Sequence, residues 1–168
     1  MTVPLSDLKP AIPLRLATLQ DTAGLAYLWR AAWSSANPAA PSVAPIAHWE
    51  ERVAAEFGAP NTTLVYEHDH ALRAFMVLDL HINHLHQLFV APDAQSQGLG
   101  GVLVREIGRS YCPAGWTLHV ATSNQRAREF YARCGLVEEA VSVHPQTGRE
   151  RVLCRWRPTL QTAIARIA

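Results

Sequence analysis

The chain has few of the features that mark secreted, membrane or nucleic-acid-binding proteins. Its three cysteines, Cys112, Cys134 and Cys154, are widely spaced and form no C-x-x-C pair, which argues against a disulfide framework or a zinc knuckle. No segment reaches 18 apolar residues, and the first residues lack a charged region followed by an apolar run. We therefore predict a cytoplasmic protein that is not exported and has no membrane partner.

An excess of charge of one sign is also lacking. Lys and Arg number 15 against 14 Asp and Glu, charged residues make up 17%, and no basic run occurs, so we predict no nucleic-acid partner. A chain of 168 residues, 49% of them hydrophobic, fits one domain with a core of its own. We expect a lead-in over residues 1–10, a single domain over 11–157 and a tail over 158–168. The apolar residues of the tail would pack on the domain or on a second subunit of a homodimer.

Hydrophobic periodicity predicts two helices, then a meander of strands, then strands and helices in alternation. Apolar residues recur at helical spacing after Asp21, which is a capping residue type, and again from Ile46 to Phe57. Further elements are predicted as strands at Leu14–Ala17, Thr62–Glu67, Leu72–Leu80, His84–Val90 and Trp116–Ala121, as helices from Gly98 to about Arg109 and from about Gln125 to Arg133, and as a final hairpin around 145–148. This order predicts a mixed α/β (α+β) domain.

The segment from His84 to Gly101, HLHQLFVAPDAQSQGLGG, indicates a strand, a turn and a glycine-rich entry into an amphipathic helix. Glycine lets backbone approach a ligand closely, and the first N–H groups of a helix have no partner within it. Amides from about Gln97 to Gly101, together with the helix dipole, suit a pyrophosphate. The spacing is not that of a G-x-G-x-x-G dinucleotide fingerprint, and G-K-[ST] of a P-loop is absent. The sequence therefore predicts a phosphorylated ligand of another class.

Two ordered motifs resemble the GCN5-related N-acetyltransferase (GNAT) family. Gln95 to Gly100 (QSQGLG) resembles the family's Q/R-x-x-G-x-G/A signature and follows a strand ending L-F-V-x-P. Leu118 to Gly135 resembles the family's next segment, a strand, an Asn, and a helix with Ala and Phe-Tyr followed by Gly. The resemblance covers about residues 12–157. It implies a mostly antiparallel central sheet flanked by helices, acetyl-CoA as cosubstrate, no metal, and transfer of an acetyl group to a primary amine.

The resemblance also implies where acetyl-CoA binds. The backbone of β-strand residues Leu88–Val90 would pair with the pantetheine amides as another strand would. Asn124 would bond the pantetheine arm or simply cap the following helix. The residues expected to contact the cosubstrate are Leu88, Phe89, Val90, Gln95, Ser96, Gln97, Gly98, Leu99, Gly100, Gly101, Asn124, Ala127, Phe130 and Tyr131.

Acetyl transfer to an amine requires a base. A lysine-like amine has a pKa of about 10.4, so presenting it neutral at pH 7 costs about 4.6 kcal/mol, which a nearby base lowers. His84 and His86 are the candidates, and strand alternation predicts that they share a face with Leu88 and Val90. The run His-Leu-His resembles the paired histidines of arylalkylamine N-acetyltransferases, and His84 lies where histone-type members of the family carry a general-base Glu.

Each of these assignments has an alternative. The two histidines could be hydrogen-bonded spacers, or could present two ligands to a metal ion whose third ligand is suggested only by His81 or Asp79. Tyr131 corresponds by resemblance to a tyrosine that gives a proton to the departing thiolate. The alternative for the Phe130-Tyr131 pair is that it only packs the helix against the sheet.

The sequence indicates the identity of the acceptor amine much less clearly than the cosubstrate, although it favours a small molecule. The resemblance implies an acceptor pocket built by the first two helices and the last hairpin, which carry Trp29, Trp33, Trp49 and Trp156. Core packing explains the first three better. The candidates for holding an ammonium group are Glu50, Glu51, Asp79 and Glu138. A non-catalytic acyl-CoA-binding regulatory module, a protein or peptide N-acyltransferase, and transfer of a longer acyl group are alternative functions.

Overall fold

The computed structural model describes residues 12–159. The predicted lead-in over residues 1–10 lies outside them, as do the apolar tail positions Leu160, Ile164 and Ile167. In the part that is described, no helix has the length and the apolar character needed to cross a membrane.

In the described part of the chain, seven strands form one sheet in the order β1-β2-β3-β4-β5-β7-β6. Their bounds are Leu14–Leu16 (β1), Thr62–His68 (β2), Ala71–Asp79 (β3), His84–Val90 (β4), Trp116–Ala121 (β5), Val137–Val143 (β6) and Glu150–Trp156 (β7). Neighbouring strands pair antiparallel except β4 and β5, which are parallel. The predicted mixed α/β domain with a mostly antiparallel sheet is confirmed.

Helices cover both faces of this sheet. Their bounds are Thr22–Ala36 (α1), Ile46–Glu56 (α2), Leu99–Glu106 (α3), which a π-helical turn over Ile107–Tyr111 continues, and Gln125–Arg133 (α4). Helices α1 and α2 bury Trp29 and Trp49 against Phe75 and Phe89 on one face. Helices α3 and α4 close the second core on the other face, over apolar side chains of β3, β5 and β7. The apolar stripes that predicted the helices are therefore the faces they bury.

Asp21 does not cap α1 through its side chain, contrary to the prediction. It occupies the N-cap position but its carboxylate makes no hydrogen bond to that helix. The two carboxylate oxygens accept from Arg15 at 2.8 and 2.9 Å, and Oδ2 also accepts from the Thr18 amide at 2.7 Å. The Arg15 guanidinium holds the pKa of Asp21 well below its usual range. A bidentate pair with a guanidinium is stronger than a single hydrogen bond from a backbone amide, and it ties β1 to the start of α1.

Strands β4 and β5 separate soon after they begin to pair. Only His84 with Thr117 and Leu85 with Leu118 are partners across the two strands. From His86 to Val90, the edge of β4 that faces β5 has no strand partner within residues 12–159. A gap therefore opens in the middle of the sheet, and the backbone N–H and C=O groups along it can bind a ligand in the manner of an added strand.

Candidate active site

A cavity of about 430 Å³ lies where β4 ends and α3 begins. Gly98 starts the helix with φ +80°, in the left-handed region that favours glycine. The first amide to bond back is that of Val102, which donates to the Gly98 carbonyl at 3.1 Å. The amides of Leu99, Gly100 and Gly101 precede it and have no acceptor within residues 12–159. Amides unpaired at a helix N-terminus can bind an anion.

All the residues expected to contact the cosubstrate line this cavity except Gln97. The side-chain amide of Gln97 instead donates to the Asp93 carbonyl at 3.1 Å. Gln95 lines the cavity, but its side-chain amide donates to the Val90 carbonyl at 3.0 Å. The glutamine that opens the glycine motif therefore fastens the corner to the end of β4.

Helix α4 forms the opposite wall of the cavity. Asn124 caps this helix, because its Oδ1 accepts from the Ala127 amide at 3.1 Å, and it borders the cavity at the same time. A Cβ atom added at Gly100 would lie 3.1 Å from Cζ of Phe130. Gly100 is thus needed for the close approach of α3 to α4, whereas an added Cβ at Gly98 would meet nothing within 4 Å.

Tyr131 lies on the inner side of α4 and lines the cavity. Burial raises the pKa of its hydroxyl well above the usual value near 10. The hydroxyl makes no hydrogen bond to any residue between 12 and 159, so a proton is held at the cavity wall and is not committed to another group. Such a hydroxyl can donate a hydrogen bond or a proton to a ligand atom beside it.

Three arginines at the rim of the cavity were missed by the sequence reasoning. Arg126 and Arg133 line it from α4, and Nη1 of Arg105 lies 3.5 Å from the position that a Cβ of Gly101 would take. None of the three forms an ion pair with another described residue. Their spacing along two helices was visible in the sequence, but only the packing of α3 beside α4 brings them together. The rim therefore adds unpaired positive charge to the helix N-terminus.

A second cavity, of about 500 Å³, lies at the beginning of the strand gap and is lined by four histidines. His84 and His86 come from β4, His119 from β5 and His144 from the turn that joins β6 to β7. We call this cavity the histidine groove. The ring centroid of His84 lies 5.0 Å from the ring centroid of His86 and 5.1 Å from that of His119.

His119 and His144 were not predicted to take part in a site. The alternation of buried and half-buried residues along β5 is the feature that could have found His119, because Thr117, His119 and Ala121 share one face. His144 belongs to the same groove. Its Nδ1 accepts from the amides of Gln146 and Thr147 at 3.2 and 3.3 Å, which orders the turn at the groove.

His84 and His86 do not share a face with Leu88, contrary to the alternation expected for β4. Val77 on β3 pairs with Gln87, but Leu78 pairs with Leu85, so His86 is an extra residue in a β-bulge. A bulge shifts the alternation by one residue. Leu85 and Leu88 consequently pack on the α3 side, whereas both histidines line the groove on the other side.

Two imidazoles of the groove, those of His84 and His119, have lowered pKa values. Burial, followed by the proximity of His86, His119 and Arg151, lowers the pKa of His84 to about 4, and Asp79 opposes this only weakly. Burial and the charge of Arg151 also lower the pKa of His119. Nδ1 of His84 is hydrogen-bonded with Oγ1 of Thr117 at 2.8 Å, so one side of this ring is occupied. Within residues 12–159, no group of three His, Cys, Asp or Glu is arranged to hold a metal ion.

The residues considered for the acceptor lie elsewhere. Trp29 and Trp49 are 2% and 4% exposed and belong to the core beneath α1 and α2, as core packing predicted. Of the acidic candidates, Glu138 is paired with Arg128 at 2.7 Å, and Asp79 accepts from the backbone amide of His81 at 2.9 Å. None of the four acidic candidates, and no tryptophan, lines the histidine groove.

The comparisons with known proteins agree with this architecture. The family model described as an acetyltransferase (GNAT) domain matches residues 59–138. That range includes β4, the glycine corner, β5 and α4, whereas the lining residues of the histidine groove from α2 and from the segment 144–151 lie outside it. No curated protein matches the sequence at a significant level.

Solved structures of GNAT proteins share the fold at low sequence identity. A GCN5-related N-acetyltransferase from Rhodopseudomonas palustris superposes with a TM-score of 0.70 and 18% identity, over 88% of this chain and 96% of the other. The ribosomal-protein-S18-alanine N-acetyltransferase of Escherichia coli gives 0.63 and 19%, over 88% and 94%. A variant of the spermidine N-acetyltransferase SpeG from Vibrio cholerae gives 0.62 and 20%, over 89% and 95%.

Proposed function

We propose that the chain is a GCN5-related N-acetyltransferase, whose domain model matches residues 59–138, and that it transfers the acetyl group of acetyl-CoA to a primary amine by direct attack of the amine on the thioester. The single observation that carries the proposal is the gap between β4 and β5. Consecutive residues of β4 along the gap line the two cavities, since Gln87 lines the histidine groove and Leu88 lines the cavity at α3. A cosubstrate bound on one side of the sheet can thus meet an acceptor on the other.

The residues around the α3 cavity fit a coenzyme A ester. The unpaired amides of Leu99, Gly100 and Gly101 would bind its diphosphate, and the arginines at the rim would balance the remaining phosphate charge. The free edge of β4 would bind the amides of the pantetheine arm. The thioester supplies an acyl group that is already activated, so the protein needs no nucleophile of its own.

His86 is the better base of the two predicted histidines. It is exposed to the groove at the bulge of β4, beside the strand gap. An imidazole there can accept the proton of the attacking amine directly or through one water. His84, whose pKa is lowered to about 4 and whose Nδ1 is bonded with Thr117, holds a proton too weakly for this task near pH 7. We assign His84 to positioning the ring of His86.

Tyr131 is the proposed acid. Its raised pKa keeps the hydroxyl protonated throughout the physiological range, and the hydroxyl has no competing protein acceptor in the described residues. A hydrogen bond from this hydroxyl would stabilise the thiolate of coenzyme A as it leaves, and proton transfer would complete the reaction. Packing of the Phe130 and Tyr131 rings, whose centroids are 5.0 Å apart, fixes the orientation of the phenol.

We also propose the extent of the catalytic domain, the size class of the acceptor and the location of the enzyme. Residues 11–157 would form the single catalytic domain, and the acceptor would be a small molecule, because the groove volume of about 500 Å³ falls within the range of roughly 300–1,000 Å³ typical of small-molecule sites. A cytoplasmic location is supported by three free cysteines, which suit a reducing compartment.

The test is a screen of amines with release of free coenzyme A as the readout. Acetyl-, propionyl- and butyryl-CoA are each offered to the full chain with every amine, and reactions without amine correct for hydrolysis. We expect amine-dependent release that is fastest with acetyl-CoA, and a product heavier than the amine by one acetyl group. Tight binding of acetyl-CoA without transfer to any amine would instead identify a non-catalytic acyl-CoA-binding module.

A further inference from the structure

The charged residues that line the histidine groove indicate which class of amine it accepts. Arg52 and Glu56 neutralise each other at 2.7 Å, and the Arg52 guanidinium also lies 4.3 Å from the ring centroid of Trp29. The remaining charged residues of the lining are Arg149, Glu150 and Arg151. Within the described residues, none of these three forms an ion pair. The groove therefore contains two unpaired cations against one unpaired anion.

Arg151 is the cation nearest the reacting end of the groove. It pairs with Ala121 of β5 and Ser142 of β6, and the next residue, Val152, is buried on the opposite face of β7. The side chain of Arg151 therefore lies on the groove side. The only hydrogen bond of its guanidinium to a described residue is a long one, 3.4 Å, from Nε to Oγ of Ser142.

The charge of Arg151 also acts on the histidines of the groove. After burial, its charge is among the causes that lower the pKa of both His84 and His119. A fixed positive charge disfavours any second cation beside it. An ammonium group bound there loses its proton more readily, whereas an acceptor that brings several positive charges is repelled.

We infer that the acceptor is an amine that also carries a carboxylate, as an amino acid does, and that Arg151 binds this carboxylate. This inference rests on the proposed function and names its substrate class. An arginine fork can donate two parallel hydrogen bonds to a carboxylate, and the unused donors of Arg151 permit that geometry. The same contact would orient the amine towards the strand gap. Polyamines lack the anionic group and would bring additional positive charge into a groove that has no free acidic cluster.

The experiment compares matched acceptors at fixed acetyl-CoA. The twenty amino acids and a series of ω-amino acids of increasing length are each assayed beside the corresponding amide, and putrescine and spermidine form a third arm. We expect the best acid to exceed its amide at least tenfold in kcat/KM, through a lower KM, and to exceed both polyamines. The length of the best ω-amino acid would report the distance between the carboxylate bound by Arg151 and the amine at the strand gap.

Arg151→Gln should reduce the preference for the acid over its amide to about unity, and Arg151→Lys should restore part of it. Arg155→Gln is the matched control, because Arg155 lies four residues further along β7 on the same face, is paired with Glu139 at 2.9 Å and does not line the groove. Thermal unfolding with bound acetyl-CoA checks that each variant is folded. A wild-type preference for amides or polyamines, or an acid preference unchanged in Arg151→Gln, would overturn the inference and leave the proposed function standing. Transfer to another amine but to none of these acids would also overturn the inference, whereas absence of transfer to every amine offered would contradict the proposed function itself.

Discussion

Replacing Tyr131 by Phe removes one oxygen atom and tests the proposed acid. The hydroxyl has no hydrogen-bond partner among the described residues, so its loss leaves no other buried group unsatisfied. The phenyl ring keeps the contact with Phe130, whose centroid is 5.0 Å away. We therefore expect the free energy of unfolding to change by less than about 0.5 kcal/mol, as for other substitutions that break no network.

The expected loss lies in turnover. A hydrogen bond to a charged group contributes about 1.5–3 kcal/mol, which corresponds to roughly 10- to 150-fold in rate. Loss of proton transfer as well would move the effect towards the upper end of that range or beyond it. The hydroxyl contributes to the leaving thiolate and not to the diphosphate or the arginine rim, so the affinity for acetyl-CoA should change less than about twofold.

The assay is coenzyme A release at saturating amine and acetyl-CoA, repeated as a single turnover so that slow product release does not mask the chemical step. Tyr111→Phe is the matched control, because Tyr111 is half-buried in the π-helical turn after α3 and lines neither cavity. Equal single-turnover rates for Tyr131→Phe and the unsubstituted chain would remove Tyr131 from the reaction. A rate loss accompanied by an equal loss of acetyl-CoA affinity would show a binding role instead.

Four further substitutions test separate parts of the account. Gly100→Val places a branched side chain whose Cβ would lie 3.1 Å from Cζ of Phe130, so α3 and α4 must separate. The Kd for acetyl-CoA should therefore rise at least tenfold. An unchanged Kd in calorimetry would contradict this packing. Asn124→Ala removes the cap of α4 and should lower the free energy of unfolding in urea by about 1 kcal/mol, whereas an unchanged midpoint would show that the cap is redundant. His86→Gln should abolish the fall of kcat/KM towards low pH, and persistence of that fall would assign the base to another group. The pKa of His84 is about 4 in the folded chain and about 6.5 in the unfolded chain, so its contribution to stability should be complete above about pH 6.5 and lost as the pH falls towards 4. His84→Gln should flatten this part of the profile of unfolding free energy against pH. An unchanged slope would assign this part of the profile to other groups.

The parts that the sequence predicted well are those decided by local residues. The run from Gln95 to Gly101 forms a corner and a helix start because glycine positions and helix periodicity act over a few residues. The cap at Asn124 follows from residue type in the same way. Because both segments also match an ordered family pattern, nearly all the residues expected at the cosubstrate converge on one cavity.

The parts that were missed depend on contacts between distant segments. The bulge at His86 arises from the register of β4 against β3, which alternation within one strand does not specify. Asp21 is diverted from α1 by Arg15, whose strand position relative to the helix was unknown. Arg151 and His119 lie on different strands and approach the other histidines only because β7 is inserted beside β5. These residues of the histidine groove could therefore not be predicted from the sequence, because their proximity depends on the order of the strands in the sheet and not on which segments form strands.

The unpaired amides at the start of α3 are proposed to bind the diphosphate of coenzyme A. Calorimetric titration of the full chain with acetyl-CoA and with S-acetylpantetheine, which has the same thioester but no diphosphate, tests this contact. We predict saturable binding of one acetyl-CoA per chain and binding of S-acetylpantetheine that is at least a hundredfold weaker. Equal affinities for the two compounds, or no heat with acetyl-CoA, would contradict the account.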